Sequence, residues 1–327
     1  MGGVAVRHRL ARLKPGMSLH FVDAGPESAP LALLLHGFPD CHLSWAAQLP
    51  ALLAAGMRIV APDLRGYGRS SAPAGVSAYG AAKVVEDLVG LLDLLGCASA
   101  ALVVGHDWGG AAAWHLAARC PKRVRRLAIL NCPHPRVFAA TLASSGAQVC
   151  ASWCVRPCSA AVSAYPGACS WVPGCFRASP AQNRETALRR YIFVFQLPWL
   201  PERLLAAGDF AALRAALATE TVQPAPVAME KAYVTEFRRS GFRGPLNFYR
   251  ALARGLWRMP PAPAPVACPV LVLWGDGDAH LTPQLAQPPS DDVPRARVVR
   301  FGSAKHWVHW DLPSEVNAAL VAFLQES

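Results

Sequence analysis

Charge is scarce in this chain, and acidic charge scarcer still. Only 16% of its 327 residues are Asp, Glu, Lys or Arg, with 21 acidic side chains against 32 basic ones and a net charge of +11. Together with a hydrophobic content of 53%, this excludes a disordered chain and leaves a globule with a large core. The basic excess permits an anionic partner, but Arg65, Arg119, Arg125, Arg189, Arg238, Arg250 and Arg295 are scattered without a recognisable nucleic-acid-binding motif, so no nucleic-acid role is expected. No uninterrupted apolar run approaches the roughly 20 residues that cross a bilayer. Met1 to Lys14 is basic and lacks the apolar core of a secretory signal, so a cytoplasmic protein without a transmembrane segment is expected. Internal repeats are absent. The ten cysteines include no Cys-x-x-Cys pair, although Cys150, Cys154, Cys158, Cys169 and Cys175 share one segment. Free thiols acting as small apolar filler are expected, with neither a disulfide framework nor a metal.

Apolar runs recur with helical stretches between them. Ser18 to Val22, Leu31 to Leu35, Arg58 to Ala61, Ala100 to Val104 and Arg126 to Leu130 read as strands, and Ala81 to Leu95 as an amphipathic helix stopped by Gly96. Strands alternating with helices imply a mostly parallel sheet covered on both faces. After Asn131-Cys132-Pro133-His134-Pro135 the pattern becomes helical, aromatic and Pro-interrupted until about Arg258. The Pro-rich stretch from Pro260 to Pro265 reads as a stiff return linker. Strands then resume at Val270 to Trp274 and Arg297 to Phe301, and Ser314 is the expected cap of a C-terminal helix. The expected organisation is a core of residues 1–135 and 260–327, interrupted by a helical cap at 136–259 that carries a Cys- and Ala-rich insertion near 144–180, with a pocket between sheet and cap.

Chemistry concentrates at Gly105-His106-Asp107-Trp108-Gly109-Gly110, between an apolar strand and the helical stretch Ala111 to Arg119. Small residues on both flanks allow the sharp strand-to-helix turn that presents a nucleophile above a parallel sheet. Here the presented side chain is a carboxylate. A serine would imply acyl transfer, whereas Asp107 attacks a saturated carbon and becomes an alkyl ester, the way epoxides and alkyl halides are opened. The bland alternative is an aspartate capping a helix. Downstream, Gly275-Asp276-Gly277-Asp278 offers an acid and Ala304-Lys305-His306-Trp307 a base, in the chain order nucleophile, acid, histidine of the α/β-hydrolase fold. Asp278 and His306 are assigned, with Asp276 and His309 as alternatives. His36-Gly37-Phe38-Pro39 follows an early strand, where the backbone N–H of Phe38, with that of Trp108, forms an oxyanion hole. His106 is read as a structural residue of the core.

These residues resemble the epoxide hydrolases of the α/β-hydrolase superfamily, from about Ser18 to Phe323. Asp63-Leu64-Arg65-Gly66-Tyr67-Gly68-Arg69-Ser70 is similar to a core loop of that family, and Gly105 to Gly110 matches its nucleophile motif. Ser240-Gly241-Phe242-Arg243-Gly244-Pro245-Leu246-Asn247-Phe248-Tyr249-Arg250 is similar to the segment that carries one of two ring-opening tyrosines, and Tyr191 matches the position of the other. The resemblance implies an eight-stranded, mostly parallel sheet with an inserted helical cap. It implies ring-opening roles for Tyr191 and Tyr249, no cofactor, and a small-molecule epoxide with water as substrates of a monomer or homodimer, while the aromatic residues Phe193, Phe195, Trp199 and Phe248 themselves suggest an apolar pocket. Nothing in the chain resembles the phosphatase-like domain fused to bifunctional members. The rival readings are a haloalkane dehalogenase, in which an asparagine commonly stands where Phe38 does, and a non-catalytic receptor on the same fold.

Overall fold

The computed structural model describes residues 5–144, 200–219, 221–222, 227–260 and 265–326. Tyr191, Phe193, Phe195, Trp199, the cysteines from Cys150 to Cys175 and most of the proline-rich linker lie outside the described residues. Eight strands form one sheet: β1 (Arg7–Lys14), β2 (Met17–Ala24), β3 (Leu31–Leu35), β4 (Arg58–Pro62), β5 (Leu102–His106), β6 (Leu127–Leu130), β7 (Val270–Gly275) and β8 (Ala296–Phe301). Their spatial order is β1-β2-β4-β3-β5-β6-β7-β8. The first two strands join antiparallel and the others are parallel.

Continuous apolar runs build the centre of this sheet because both of its faces are covered. Alternate side chains of β3 enter different cores. Leu33 and Leu35 pack with Leu88 and Leu91 of α2 (Ala81–Leu94) and with Trp114 of α3 (Trp108–Arg119). Ala32 and Leu34 pack with Leu52 of α1 (Leu49–Ala54) and with Val316, Leu320 and Phe323 at the C-terminus. Between β6 and β7 the described helices are α4 (Pro135–Ser144), α5 (Leu200–Thr219, interrupted by non-helical backbone from Ala207 to Phe210), α6 (Val227–Ser240) and α7 (Arg243–Ala253). After β8 come a short α8 (Val308–Asp311) and α9 (Pro313–Gln325). No described helix is long and apolar enough to cross a membrane.

Two local expectations change. Ser314 does not cap α9, which starts at Pro313 with Leu312 in the cap position and no side-chain cap bond. Proline at the first helical position brings its fixed φ and needs no donor there, so it sets the boundary instead. Strand β1, read from sequence only as a basic segment, is an edge strand with outward-facing residues and therefore has no buried apolar run to announce it.

The edge is held electrostatically. Asp23 of β2 is fully buried and accepts from Arg58 Nε and Nη2 at 3.0 and 2.9 Å, from Arg9 Nη1 at 2.8 Å and from Arg7 Nη2 at 3.2 Å. Arg58 is itself nearly buried, so removing its partner strands a charge. Asp23→Asn is expected to cost about 3 kcal/mol, read as a lower urea midpoint at unchanged m-value. An unmoved midpoint would show that water replaces the lost contacts.

Candidate active site

Asp107 links β5 to α3 with φ 50° and ψ −119°, a conformation costing on the order of 1–3 kcal/mol for a non-glycine residue. Close approach of the surrounding backbone holds it there. A Cβ on Gly109 would lie 2.0 Å from Leu35 O, one on Gly105 would lie 2.5 Å from Gly109 O, and one on Gly110 would lie 2.5 Å from Cys132 Cβ. Only glycines at these positions let the first turn of α3 sit against the ends of β3 and β5. The Asp107 side chain keeps 19% of its surface exposed, so it is reachable.

The segment after β3 reaches over this carboxylate. Phe38 N–H donates to Asp107 Oδ1 at 2.8 Å, and the Trp108 backbone N–H is a second donor. Gly37 makes the approach possible, because a Cβ there would lie 2.5 Å from both Asp107 Cβ and Oδ1. His36 steadies the turn, donating from Nδ1 to Gly37 O at 2.9 Å and accepting from Leu64 N–H at Nε2 at 3.0 Å. Burial pushes the Asp107 carboxyl above the usual aspartate range, and the charge of His306 with the two N–H groups draws it partly back.

His306 Nε2 stands 3.7 Å from Asp107 Oδ2, while its Nδ1 donates to Asp278 Oδ2 at 2.6 Å. Asp278 is fully buried yet well supplied with donors: the N–H groups of His280 and Leu281 reach Oδ1 at 2.8 and 3.0 Å, and Asn131 Nδ2 reaches Oδ2 at 2.9 Å. Burial alone would raise this carboxyl, but His306 and the donors outweigh it and bring its pKa to about 2. The carboxylate thus stays ionised and orients the imidazole. Asn131 was missed in the sequence. Its Oδ1 accepts from Gly275 N–H at 2.9 Å, so it clamps β7 to the acid loop from a positive φ of 40°. A lone asparagine after a strand gives no signal of a partner 147 residues away.

The alternative acid and base lie elsewhere. Asp276 pairs with Arg300 Nε at 2.8 Å on the surface. His309 is fully buried, stacks on Trp45 and contacts Ser44 Oγ at 2.8 Å, and burial with the charge of His306 pushes its pKa down to about 3. His106 is also enclosed, its Nε2 donating to His306 O at 3.0 Å.

Helix α7 places Tyr249 against the two residues that supply the backbone donors of Asp107. Its ring meets Trp108 edge-on at 5.0 Å and Phe38 at 5.5 Å between centroids. Burial and the nearby charge of Asp107 push the phenol well above its ordinary pKa, so it stays neutral. The helix comes this close because Gly244 meets Gly66: a Cβ on Gly244 would lie 2.5 Å from Gly66 Cα. Phe248 turns inward. It is fully buried, with its centroid 5.5 to 5.7 Å from those of Trp108, Tyr67, Tyr79 and Trp257. Successive helical residues point about 100° apart, so the turn that sets Tyr249 against Phe38 and Trp108 drives its neighbour into the core.

Residues 30–149 match the family profile of the alpha/beta hydrolase fold. Epoxide hydrolase 3 of Xenopus tropicalis is 34% identical over 330 residues, covering 98% of this chain and 78% of that protein. The chain belongs to the epoxide hydrolase family. Epoxide hydrolase A of Mycobacterium tuberculosis is likewise 34% identical, over 94% of each chain. The crystal structure of epoxide hydrolase A from Mycobacterium thermoresistibile superposes with a TM-score of 0.74 at 29% identity, over 98% of each chain.

Gly37 offers a direct test of this geometry. Gly37→Ala should push the Phe38 amide off the Asp107 carboxylate and lower turnover by about a hundredfold or more, the usual loss for one oxyanion donor, with the far-UV circular dichroism unchanged. Wild-type turnover would mean that the loop shifts freely and the amide is not required.

Proposed function

We propose that this epoxide hydrolase opens a small apolar epoxide through a covalent ester on Asp107 and releases a vicinal diol. The observation that carries the reading is the convergence on one strained carboxylate of Phe38 N–H at 2.8 Å on one oxygen and His306 Nε2 at 3.7 Å from the other, with the Tyr249 ring packed on Phe38 and Trp108 beside it. A carboxylate at the elbow needs no base for its attack, because the anion is itself the nucleophile. One Asp107 oxygen displaces an epoxide carbon–oxygen bond from behind. Tyr249, joined by Tyr191 on the strength of the family resemblance, donates to the oxygen as it becomes an alkoxide.

Water then attacks the ester carbonyl carbon. His306 takes a proton from that water at Nε2, its imidazolium is stabilised by Asp278, and the tetrahedral oxyanion rests on the N–H groups of Phe38 and Trp108; its collapse breaks the ester carbon–oxygen bond and expels the diol, whose two oxygens end with the two water protons, leaving Asp107 ionised again and His306 neutral. Residues 136–259 are proposed as the cap, which brings the tyrosines down onto a core of residues 1–135 and 260–327 and keeps bulk water from the alkylation step. Phe193, Phe195 and Trp199 are proposed as apolar pocket residues on their aromatic character.

The two half-reactions separate by mutation. Asp107→Ala should form no diol. His306→Gln should still alkylate and then stall, so that mixing with styrene oxide or a fatty-acid epoxide adds the mass of one substrate to the intact protein. A His306→Gln protein that turns over normally, or never gains that mass, removes the assignment of the base.

Ring opening has its own test. Tyr249→Phe is expected to slow alkylation about ten- to a thousandfold, the range for losing one transition-state donor, while the hydrolysis of preformed ester is unaffected. Single-turnover kinetics resolves the two steps. An unchanged alkylation rate would reduce Tyr249 to a packing residue.

A further inference from the structure

Three imidazoles and one carboxylate meet outside the hydrolase centre, beneath the antiparallel edge of the sheet. His20 comes from β2, His42 from the turn that follows the Phe38 loop, and Asp63 from the end of β4. All three are buried. His20 Nδ1 lies 2.7 Å from Asp63 Oδ2 and His42 Nδ1 lies 2.8 Å from Oδ1. One potential ligand atom from each of the three falls within 4.8 Å of the others. His8, exposed on β1, closes the group: its Nδ1 is 3.0 Å from His20 Nε2, and the centroids of the three rings stand 5.0 to 5.5 Å apart. The proposed hydrolase chemistry uses none of the four.

We propose that His20, His42 and Asp63 form a binding site for a zinc-class divalent cation, with His8 as the outer residue at its mouth. Two neutral imidazoles and a carboxylate are the donor set that first-row divalent ions accept at about 2.0–2.2 Å, with water in the fourth position. Ligands of one tetrahedral ion stand about 3.3 Å apart at those bond lengths, so the two imidazole–carboxylate contacts, made to different oxygens, open by roughly half an ångström and the wider separations, within 4.8 Å, draw in as the ion replaces the two N–H protons. His8 then fits the part of an outer partner. Once His20 binds through Nδ1, its remaining Nε2–H donates to His8 Nδ1, which fixes tautomer and ring plane.

The exposed His8 marks the entry side. A second buried group, Asp40, His106 and His309, has similar ligand types. It is already occupied by Tyr233 and Trp307 donating to Asp40, and by Ser44 bridging Asp40 and His309. The ion would brace the fold. His42 N–H donates to Asp63 Oδ1 at 3.0 Å, so the segment that carries Phe38 to the nucleophile is tied at its other end to the metal-binding carboxylate.

The test uses the untagged full chain, chelator-treated, with its thiols capped by N-ethylmaleimide so that cysteines do not compete. Titration with zinc(II) is expected to show one equivalent bound and a higher Tm, and cobalt(II) to give the visible absorption of a four-coordinate site with nitrogen and oxygen ligands. His20→Gln and His42→Gln should abolish saturable uptake, their amides still able to donate to Asp63. His8→Gln, a surface change that spares folding, should weaken binding about 10- to 100-fold, the usual effect of an outer partner. Asp107→Asn should bind as wild type. The proposal is overturned if the wild type takes up no stoichiometric zinc, if uptake survives in His20→Gln and His42→Gln, if His8→Gln binds as wild type, or if His309→Gln alone abolishes uptake.

Discussion

The closeness of α3 to the end of β3 is the constraint on which the site depends. With Leu35 O where a Cβ of residue 109 would stand, the helix has no room to begin later or further out, and the turn before it must take the positive φ of Asp107. The same proximity brings the nucleophile beneath the segment leaving β3, so that a backbone amide, Phe38 N–H, is delivered without any side chain being recruited. That segment is short and tied at both ends: Gly37 abuts Asp107, and His42 hydrogen-bonds to Asp63 through backbone and side chain. The oxyanion geometry is therefore a property of packed backbone, which has little freedom to relax.

Two aspartates in one small volume acquire opposite character from their surroundings. Asp278 is saturated with donors, and with His306 against it its carboxyl stays near 2 despite complete burial. Asp107 has two backbone donors and a more distant imidazole, and burial leaves it raised. A fully satisfied carboxylate orients well and attacks poorly, whereas one held with fewer partners keeps a lone pair available for carbon. Asn131 sharpens the contrast by adding its amide to the Asp278 side only.

Much of this was legible in the sequence wherever the cause is local. The glycine spacing around Asp107 announced the elbow because the clash that demands glycine lies within a few residues or on the adjacent strand. Phe38 followed from its place after an apolar strand. Long-range partners gave no such sign. Asn131, His20, His42 and Asp63 acquire meaning only when the sheet order brings distant strands together, and a period or a motif does not encode that order. Phe248 shows a different failure. Its aromatic type suggested a pocket, but the helix phase that leaves Tyr249 partly accessible buries its neighbour.

The proximity of Asp107 and Tyr249 gives the proposed reaction a built-in timing. Before attack, the negative charge of Asp107 helps push the phenol above its ordinary pKa, and the tyrosine holds its proton firmly. As the ester forms, that charge leaves the carboxylate and appears on the epoxide oxygen. The repulsion opposing proton release weakens at the moment the alkoxide requires a donor. In an apolar pocket each charge acts at low effective dielectric, so one charge migrating a few ångströms both creates the anion and strengthens the acid that meets it. A serine at the elbow would begin neutral and end as a neutral ester, and could not modulate the phenol in this way.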